Sequence, residues 1–308
     1  MIVALAGGVG AARFLDGLVK VIDPKDLTVI VNTGDDLYLY GLYICPDLDT
    51  IMYNLAGIAN KTQGWGIQND TFHCLSMLEQ YGNESWFKLG DKDFATHILR
   101  THLLRRGISL SEVTRLLCNL LEIEVNVVPM TNQKVNTRVV TEQEMLDFQD
   151  YFVRYQKTAV VKDVYFEGIK EATPPAGLLE TIKSADGVII CPSNPIVSIQ
   201  PILKVTGLLP VLKDLPVVGI SPIVGGAPIK GPADKLMQAF NIEVSAYGIA
   251  KYYATLLNTL IIDTKDTNLQ PQIEDLGIHA VVTNTIMRSL DNKINLARVA
   301  MQELDKLI

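Results

Sequence analysis

Four aspartates fall in two short runs of this chain: Asp35 and Asp36 in "NTGDD" (32–36), Asp47 and Asp49 in "CPDLDT" (45–50). Gathered carboxylates repel one another unless a cation or a proton sits among them. Magnesium takes oxygen ligands, often one or two carboxylates plus the phosphates of a substrate. Asp36 and Asp49 are therefore candidate magnesium ligands, and either could instead accept a proton. The structural alternative is a Pro-Asp helix opening, with Asp47 and Asp49 as caps and with Asp35 and Asp36 in a loop at a strand end.

A second group could hold an anion. "GGVGAARF" (7–14) follows a short apolar run, so Gly7, Gly8 and Gly10 let backbone approach a ligand closely while the next helix aims its N-terminal N–H groups at it. Arg13 adds a guanidinium that could fork onto a phosphate. The loop is neither GxGxxG nor a P-loop, and a tight turn with glycines for packing remains the alternative. "CPSNP" (191–195) and "ISPIVGG" (220–226) also follow apolar runs. Ser193, Asn194, Ser221, Gly225, Gly226 and Lys230 could line the same rim, or simply make turns. Three such loops after three buried strands favour a nucleotide-sized site, because open α/β sheets bind ligands beyond the carboxyl ends of their strands. "WFKLGDKD" (86–93) sets Trp86 and Phe87 beside Lys88, a combination suited to an aromatic ligand with a polar appendage, or to anchoring a helix. His97 and His102 are five apart on a helical stretch and read as structural.

Those groups need a scaffold. "IVALA" (2–6) and "LTVIV" (27–31) read as buried parallel strands around a glycine loop and a helix, a βαβ opening that predicts a doubly wound α/β fold. From Asp49 to about Glu122 the apolar spacing is mostly helical; Asp49 and Thr50 read as caps, Ser109 and Glu112 as a capping box, and Gly107 as a helix stop. Strand-like runs return at 125–130, 137–141 and 159–168; 187–195 reads as a buried strand running into a turn, 215–226 repeats that design, and 255–263 reads as a helix end leading into a strand that stops at Asp263. The expectation is a Rossmann-like, mostly parallel sheet formed by 1–48 and 123–308, with a helical insertion over 49–122.

The 308 residues carry a net charge of −7, which argues against a nucleic-acid binder. Cys45, Cys74, Cys118 and Cys191 show no metal or disulfide spacing. No apolar run has bilayer length, and a strand begins within two residues of Met1, so the expectation is a cytoplasmic protein without signal peptide or membrane association.

Taken together, "GGVGAARFLDGL", "NTGDDLYLYGLYICPDLDTIMYNLAG", "GWGIQNDTF", "WFKLGDKDFATHILRT", "CPSNPIVSIQPIL" and "SPIVGGAPIKGPADKLM" resemble the 2-phospho-L-lactate transferase family, which works in coenzyme F-420 biosynthesis in methanogens and actinobacteria. The similarity runs along nearly the whole chain. It departs at Ala11, where many relatives have glycine. The resemblance implies a magnesium-dependent enzyme, expected as a homodimer. It would move a phospholactyl group from lactyl-2-diphospho-5'-guanosine to the ribityl hydroxyl of the deazaflavin Fo (7,8-didemethyl-8-hydroxy-5-deazariboflavin), releasing GMP. Lactyl, enolpyruvyl and glyceryl donors stay open. It further implies that Asp49 and Lys88 serve the deazaflavin site, that Trp86, Phe87, Met130 or Phe148 packs on its ring, and that the loops at Gly7, Ser193 and Ser221 cradle the guanosine diphosphate. Asp49 would orient or deprotonate the hydroxyl. The alternative is a non-catalytic nucleotide-sugar-binding regulator on a similar sheet, which would have little need for PDLDT or WFKLGDKD. A dinucleotide dehydrogenase is disfavoured by the missing GxGxxG.

Overall fold

The computed structural model describes residues 1–155, 159–229 and 231–308. Its centre is a seven-stranded, wholly parallel sheet: β1 (Ile2–Ala6), β2 (Leu27–Val31), β3 (Asn126–Pro129), β4 (Gly187–Ile190), β5 (Val217–Ile220), β6 (Thr259–Asp263) and β7 (His279–Thr283). The spatial order is β7-β6-β5-β4-β1-β2-β3. The chain thus moves outward from β1 to β3, returns to lay β4 against β1, and continues outward the other way. A crevice must open where the direction reverses, between the carboxyl ends of β1 and β4.

The apolar runs follow from that placement. β1, β2, β4, β5 and β6 are buried along their whole length, so neither face has use for polar side chains. The period of two still sorts them: Val3 and Leu5 enter one core, Ile2, Ala4 and Ala6 the other. α1 (Gly8–Leu18) covers the second face.

Between β2 and β3 come a hairpin (Leu37–Leu39 with Leu42–Ile44) and four helices: α2 (Pro46–Leu55), α3 (His73–Gln80), α4 (Asp91–Arg105) and α5 (Leu110–Leu120). Leu48, Ile51 and Met52 of α2, and Val113 and Leu117 of α5, share the core of Ala4 and Val31. Ile44, Leu75, Leu89 and Phe94 make a small cluster of their own. The insertion is therefore welded to the sheet at α2 and α5 and stands off it around α3.

Asp49 and Thr50 do not cap a helix. α2 begins at Pro46, whose missing N–H suits the first helical position, and Cys45 holds the cap position without a side-chain bond. Asp47 and Asp49 stand in the first turn, where the helix dipole favours their charge. α5 opens on the Ser109–Glu112 capping box, and Gly107, with φ of 83°, follows the end of α4. Elements beyond the sequence reading include the 37–44 hairpin, too short for a clear period, and the edge strand β7. The runs at 137–141 and 159–168 join not the main sheet but a three-stranded antiparallel one, built from Asn136–Thr141, Met145–Asp147 and Val161–Glu167. The stretch 255–258, read as a helix end, lies beyond a helix that stops at Tyr252. No helix among the described residues is long and apolar enough to cross a membrane.

α1 packs against the C-terminal helix Leu290–Asp305 at Gly17, where an added Cβ would sit 2.4 Å from the backbone carbonyl of Lys293. Backbone cannot yield as a side chain does, so Gly17→Ala should destabilise the fold by on the order of 2–3 kcal/mol. Urea denaturation checks this; a midpoint equal to wild type would mean the two helices separate freely.

Candidate functional site

A cavity of about 750 Å³ fills the crevice beyond β1 and β4. Three loops form its floor: Gly7, Gly8 and Gly10 after β1, Pro192 to Asn194 after β4, and Ser221 after β5. Gly7 occupies the cap position of α1 without a side-chain cap, and of the first-turn N–H groups that of Gly8 faces Asp47 while those after it are left for a ligand. Close approach explains two glycines. A Cβ on Gly10 would lie 2.1 Å from the carbonyl oxygen of Pro192, and one on Gly7 would lie 2.7 Å from Asp47 Oδ2.

The loops divide their polar atoms between structure and cavity. The Gly7 N–H donates to Ser193 Oγ at 3.3 Å. Asn194 accepts from the N–H groups of Ile196 and Val197 at 3.0 and 3.4 Å, while its own buried Nδ2 has no partner among the described residues. Ser221 is occupied within its turn, donating to the Ile223 carbonyl and accepting from the Ile223 N–H. Arg13 lines the cavity and pairs with no carboxylate among the described residues; Arg288, in the segment after β7, does the same. Asp263 pins that segment by accepting from the N–H and hydroxyl of Thr285 at 2.9 and 3.1 Å. Gly225 and Gly226 are not on the cavity wall. They are the two-residue turn of a small hairpin, with φ of 58° and 77°, conformations that favour glycine. Lys230 lies outside the described residues.

One wall is acidic. Asn32 Nδ2 donates to both Asp35 Oδ2 (3.2 Å) and Asp47 Oδ2 (2.9 Å), holding two carboxylates together. Burial pushes Asp47 up to about 6, against the opposing pull of Asn32 and the Gly8 backbone N–H. Burial and then the neighbouring Asp47 charge push Asp35 well above the carboxylate range. Asp36 is raised as well, first by burial, with Cys45 and Tyr43 beside it drawing it down. Asp35 Oδ1 and both Asp36 oxygens are buried without a hydrogen bond of ordinary geometry. Asp35, Asp47 and Asp49 border the cavity, whereas Asp36 sits behind them.

Asp49 is clasped from behind by the buried Arg100 of α4. NH1 donates to Oδ2 at 3.0 Å, and NH2 bonds to Oδ1. His97, one turn earlier, has Nδ1 3.3 Å from Arg100 NH1 and 3.6 Å from Asp49 Oδ2, and Nε2 3.2 Å from Asp93 Oδ1. Tyr53 donates its hydroxyl to the same Asp93 oxygen at 2.7 Å. His97 is thus part of the cavity wall rather than a plain core residue. The signal in the sequence is its spacing to Asp93 and Arg100, four and three residues away on one helix face, not its spacing to His102.

Another part of the lining is aromatic. Trp86 and Phe87 meet edge to face at 5.7 Å, and Phe148 and Phe152 stack within 4° of parallel at 5.6 Å. All four line the cavity, as do Lys88 and Trp65. Lys88 Nζ is half-exposed, 3.9 Å from Glu79. Met130 does not reach the site. Its N–H donates to the Val31 carbonyl, continuing β3, and its side chain is fully buried in the core. Among the described residues no three His, Cys, Asp or Glu side chains are grouped as a metal cage.

Comparison with known proteins bears on this arrangement. The family model "2-phospho-L-lactate transferase CofD" matches residues 2–296. The chain is 43% identical to a phosphoenolpyruvate transferase of Streptomyces avermitilis over 97% of each chain. It is 40% identical to a 2-phospho-L-lactate transferase of Methanosarcina acetivorans, over 98% of this chain and 99% of that one. A crystal structure of a UPF0052 member from Bacillus halodurans superposes with a TM-score of 0.63 over 97% of this chain and 98% of that one at 16% identity, a likeness of fold. A match along nearly the whole sequence, with relatives at 40% identity or more end to end, makes this chain a member of the 2-phospho-L-lactate transferase family.

Proposed function

We propose that the protein transfers a phospholactyl group from lactyl-2-diphospho-5'-guanosine to the terminal ribityl hydroxyl of Fo, releasing GMP. One observation carries the reading: a single cavity is lined by a helix N-terminus without a side-chain cap, by an arginine that pairs with no carboxylate among the described residues, by an acidic wall and by a set of aromatic rings. The diphosphate suits the helix N-terminus and the arginine, the tricyclic ring the aromatic rings, and the reacting hydroxyl the acidic wall. A regulator that only held a nucleotide sugar would have no use for the acidic and aromatic parts. A phosphoenolpyruvyl donor is the second reading, favoured by the 43% identity to the Streptomyces phosphoenolpyruvate transferase.

In this reading the hydroxyl oxygen attacks the phosphorus that bears the lactyl group, the bridging P–O bond breaks, and GMP leaves with the electron pair. Such transfers need positioning and charge neutralisation more than covalent help. Arg13 and the α1 N–H groups hold the diphosphate. Arg100 fixes the Asp49 carboxylate so that it orients the attacking hydroxyl. The hydroxyl proton passes to a carboxylate of the wall; Asp47, raised to about 6, is better matched to accept it near neutral pH than an ordinary aspartate. The donor set fits magnesium. A buried carboxylate oxygen without a hydrogen bond calls for a cation, and Asp35, which has one and borders the cavity, would hold it together with substrate phosphates, with Asp49 on the same wall. Asp36 would then act from behind them. Magnesium bound there would offset charge on the diphosphate.

The direct test mixes the protein with Fo, magnesium and either donor. GMP release with the lactyl donor supports the proposal, release with the enolpyruvyl donor alone selects the second reading, and release with neither defeats both. GDP at a hundredfold excess over its dissociation constant should stabilise the fold by about 2.7 kcal/mol. Arg13→Ala should weaken GDP by roughly ten- to a hundredfold while Fo binding holds; equal weakening of both in calorimetric titrations would deny Arg13 a specific phosphate contact.

Asp47 gives a signed pH prediction. Its folded-state value of about 6 lies above the ordinary 3.8, so ionising it costs stability. The cost is absent below about pH 4, grows as pH rises, and is complete above the folded value. Asp47→Asn should therefore be more stable than the ligand-free wild type at pH 7.5, by on the order of 3 kcal/mol, with the gap closing near pH 4 and GMP release lowered. Denaturation curves across pH check it; a gap that does not change with pH would contradict the assignment.

A further inference from the structure

Both tryptophans of the chain border the cavity, and they are held in different ways. Trp86 packs on Phe87, as Phe148 packs on Phe152. Trp65 has no aromatic partner among the described residues, belongs to none of the three apolar clusters, and keeps 38% of its surface exposed. A large indole left in this state forgoes the burial that normally holds an aromatic side chain in place. Its loop is nonetheless built. The Asn60 N–H donates to the Gly66 carbonyl at 3.0 Å, the Gly64 N–H donates to the Asn60 carbonyl at 2.8 Å, and Ala59 pairs with Ile67 in an antiparallel bridge. Asn60 Oδ1 accepts from the N–H groups of Thr62 and Gln63, both at 3.1 Å. Gly64 and Gly66, with φ of 83° and 70°, turn the chain sharply on either side of Trp65. The indole also borders a smaller adjoining cavity of about 320 Å³, lined by Phe72 and Leu75 among others. It therefore partitions two spaces instead of filling one.

We propose that Trp65 is the stacking platform for the flat ring of the acceptor: the loop 60–66 presents an unpartnered indole to the aromatic end of the cavity, and a planar heteroaromatic system supplies the face it lacks. The proposal rests on the acceptor being a deazaflavin. A pinned loop with a free aromatic is pre-organised, so little ordering cost attends binding. The contact is made equally before and during the reaction, so it acts on affinity and not on the chemical step.

Trp65→Ala should weaken Fo binding, read by calorimetry, by roughly tenfold or more, the range stacking on an aromatic side chain commands. Trp65→Phe should keep most of the affinity. The Michaelis constant for Fo should rise in the alanine variant with turnover within about threefold, and the thermal shift from GDP should match wild type, which certifies the fold. In Trp86→Phe, where Trp65 is the sole indole, Fo should quench the remaining fluorescence and GDP alone should not. Fo affinity within twofold of wild type in a folded Trp65→Ala overturns the platform while leaving the proposed function standing. Failure of the wild-type chain to bind Fo at all overturns both.

Discussion

Arg100 is a guanidinium with 1% of its surface exposed, and a charge so placed must have its counter-ion. Asp49 supplies it through two contacts, joining the middle of α4 to the first turn of α2. Removing one partner of such a buried pair typically costs 3–5 kcal/mol, because the survivor is left uncompensated. That one requirement governs much of the site. It sets how far α4 lies from α2, brings His97 and Asp93 into the wall, and orders the Asp49 carboxylate before any substrate arrives.

The rest of the acidic wall lacks such relief. Asp35, Asp36 and Asp47 are buried, and among them only Asn32 bridges two carboxylates. Their raised affinity for protons is the signature of charge held away from water with too little opposite charge nearby. Such strain concentrates where ligands or protons are handled. Two kinds of carboxylate thus stand side by side, one neutralised by the protein itself and one set awaiting charge from a ligand.

Both ends of the cavity are organised by what is missing. At the glycine loop, absent Cβ atoms let β1 and β4 loops meet within contact distance, and an absent cap leaves the N–H groups after Gly8 open. At the aromatic end, paired rings form fixed walls while Trp65 has no aromatic partner among the described residues. The helical insertion contributes Trp65, Trp86 and Phe87 to the latter, Phe148 and Phe152 coming from beyond β3, and is tied to the former through Asp47, whose carboxylate reaches Gly7 and Gly8.

Sequence by itself determined the local layer. Continuous apolar runs between glycine-rich turns could only be strands buried on both faces, so β1, β2, β4 and β5 were legible, as were the Ser109 capping box and the glycine loop. The quoted motifs carried the family resemblance, since they recur as short contiguous words. Tertiary structure decided what depends on contacts between distant segments. Arg100 lies 51 residues from Asp49 and looks in sequence like any helical arginine. Met130 looked available for a ring, yet strand pairing turned it into the core. Gly225 and Gly226 looked like a ligand loop, yet they close a hairpin. Asp49 looked like a cap until Pro46 claimed the helix start. For Arg100 and Met130 the physical reason is the same: residue type and spacing state what a side chain is able to do, but burial and partner, which decide what it does, are set by elements far away in the chain. For Asp49 and the Gly225–Gly226 turn, a neighbouring residue or strand pair made the choice among local structures that the residue types alone allow.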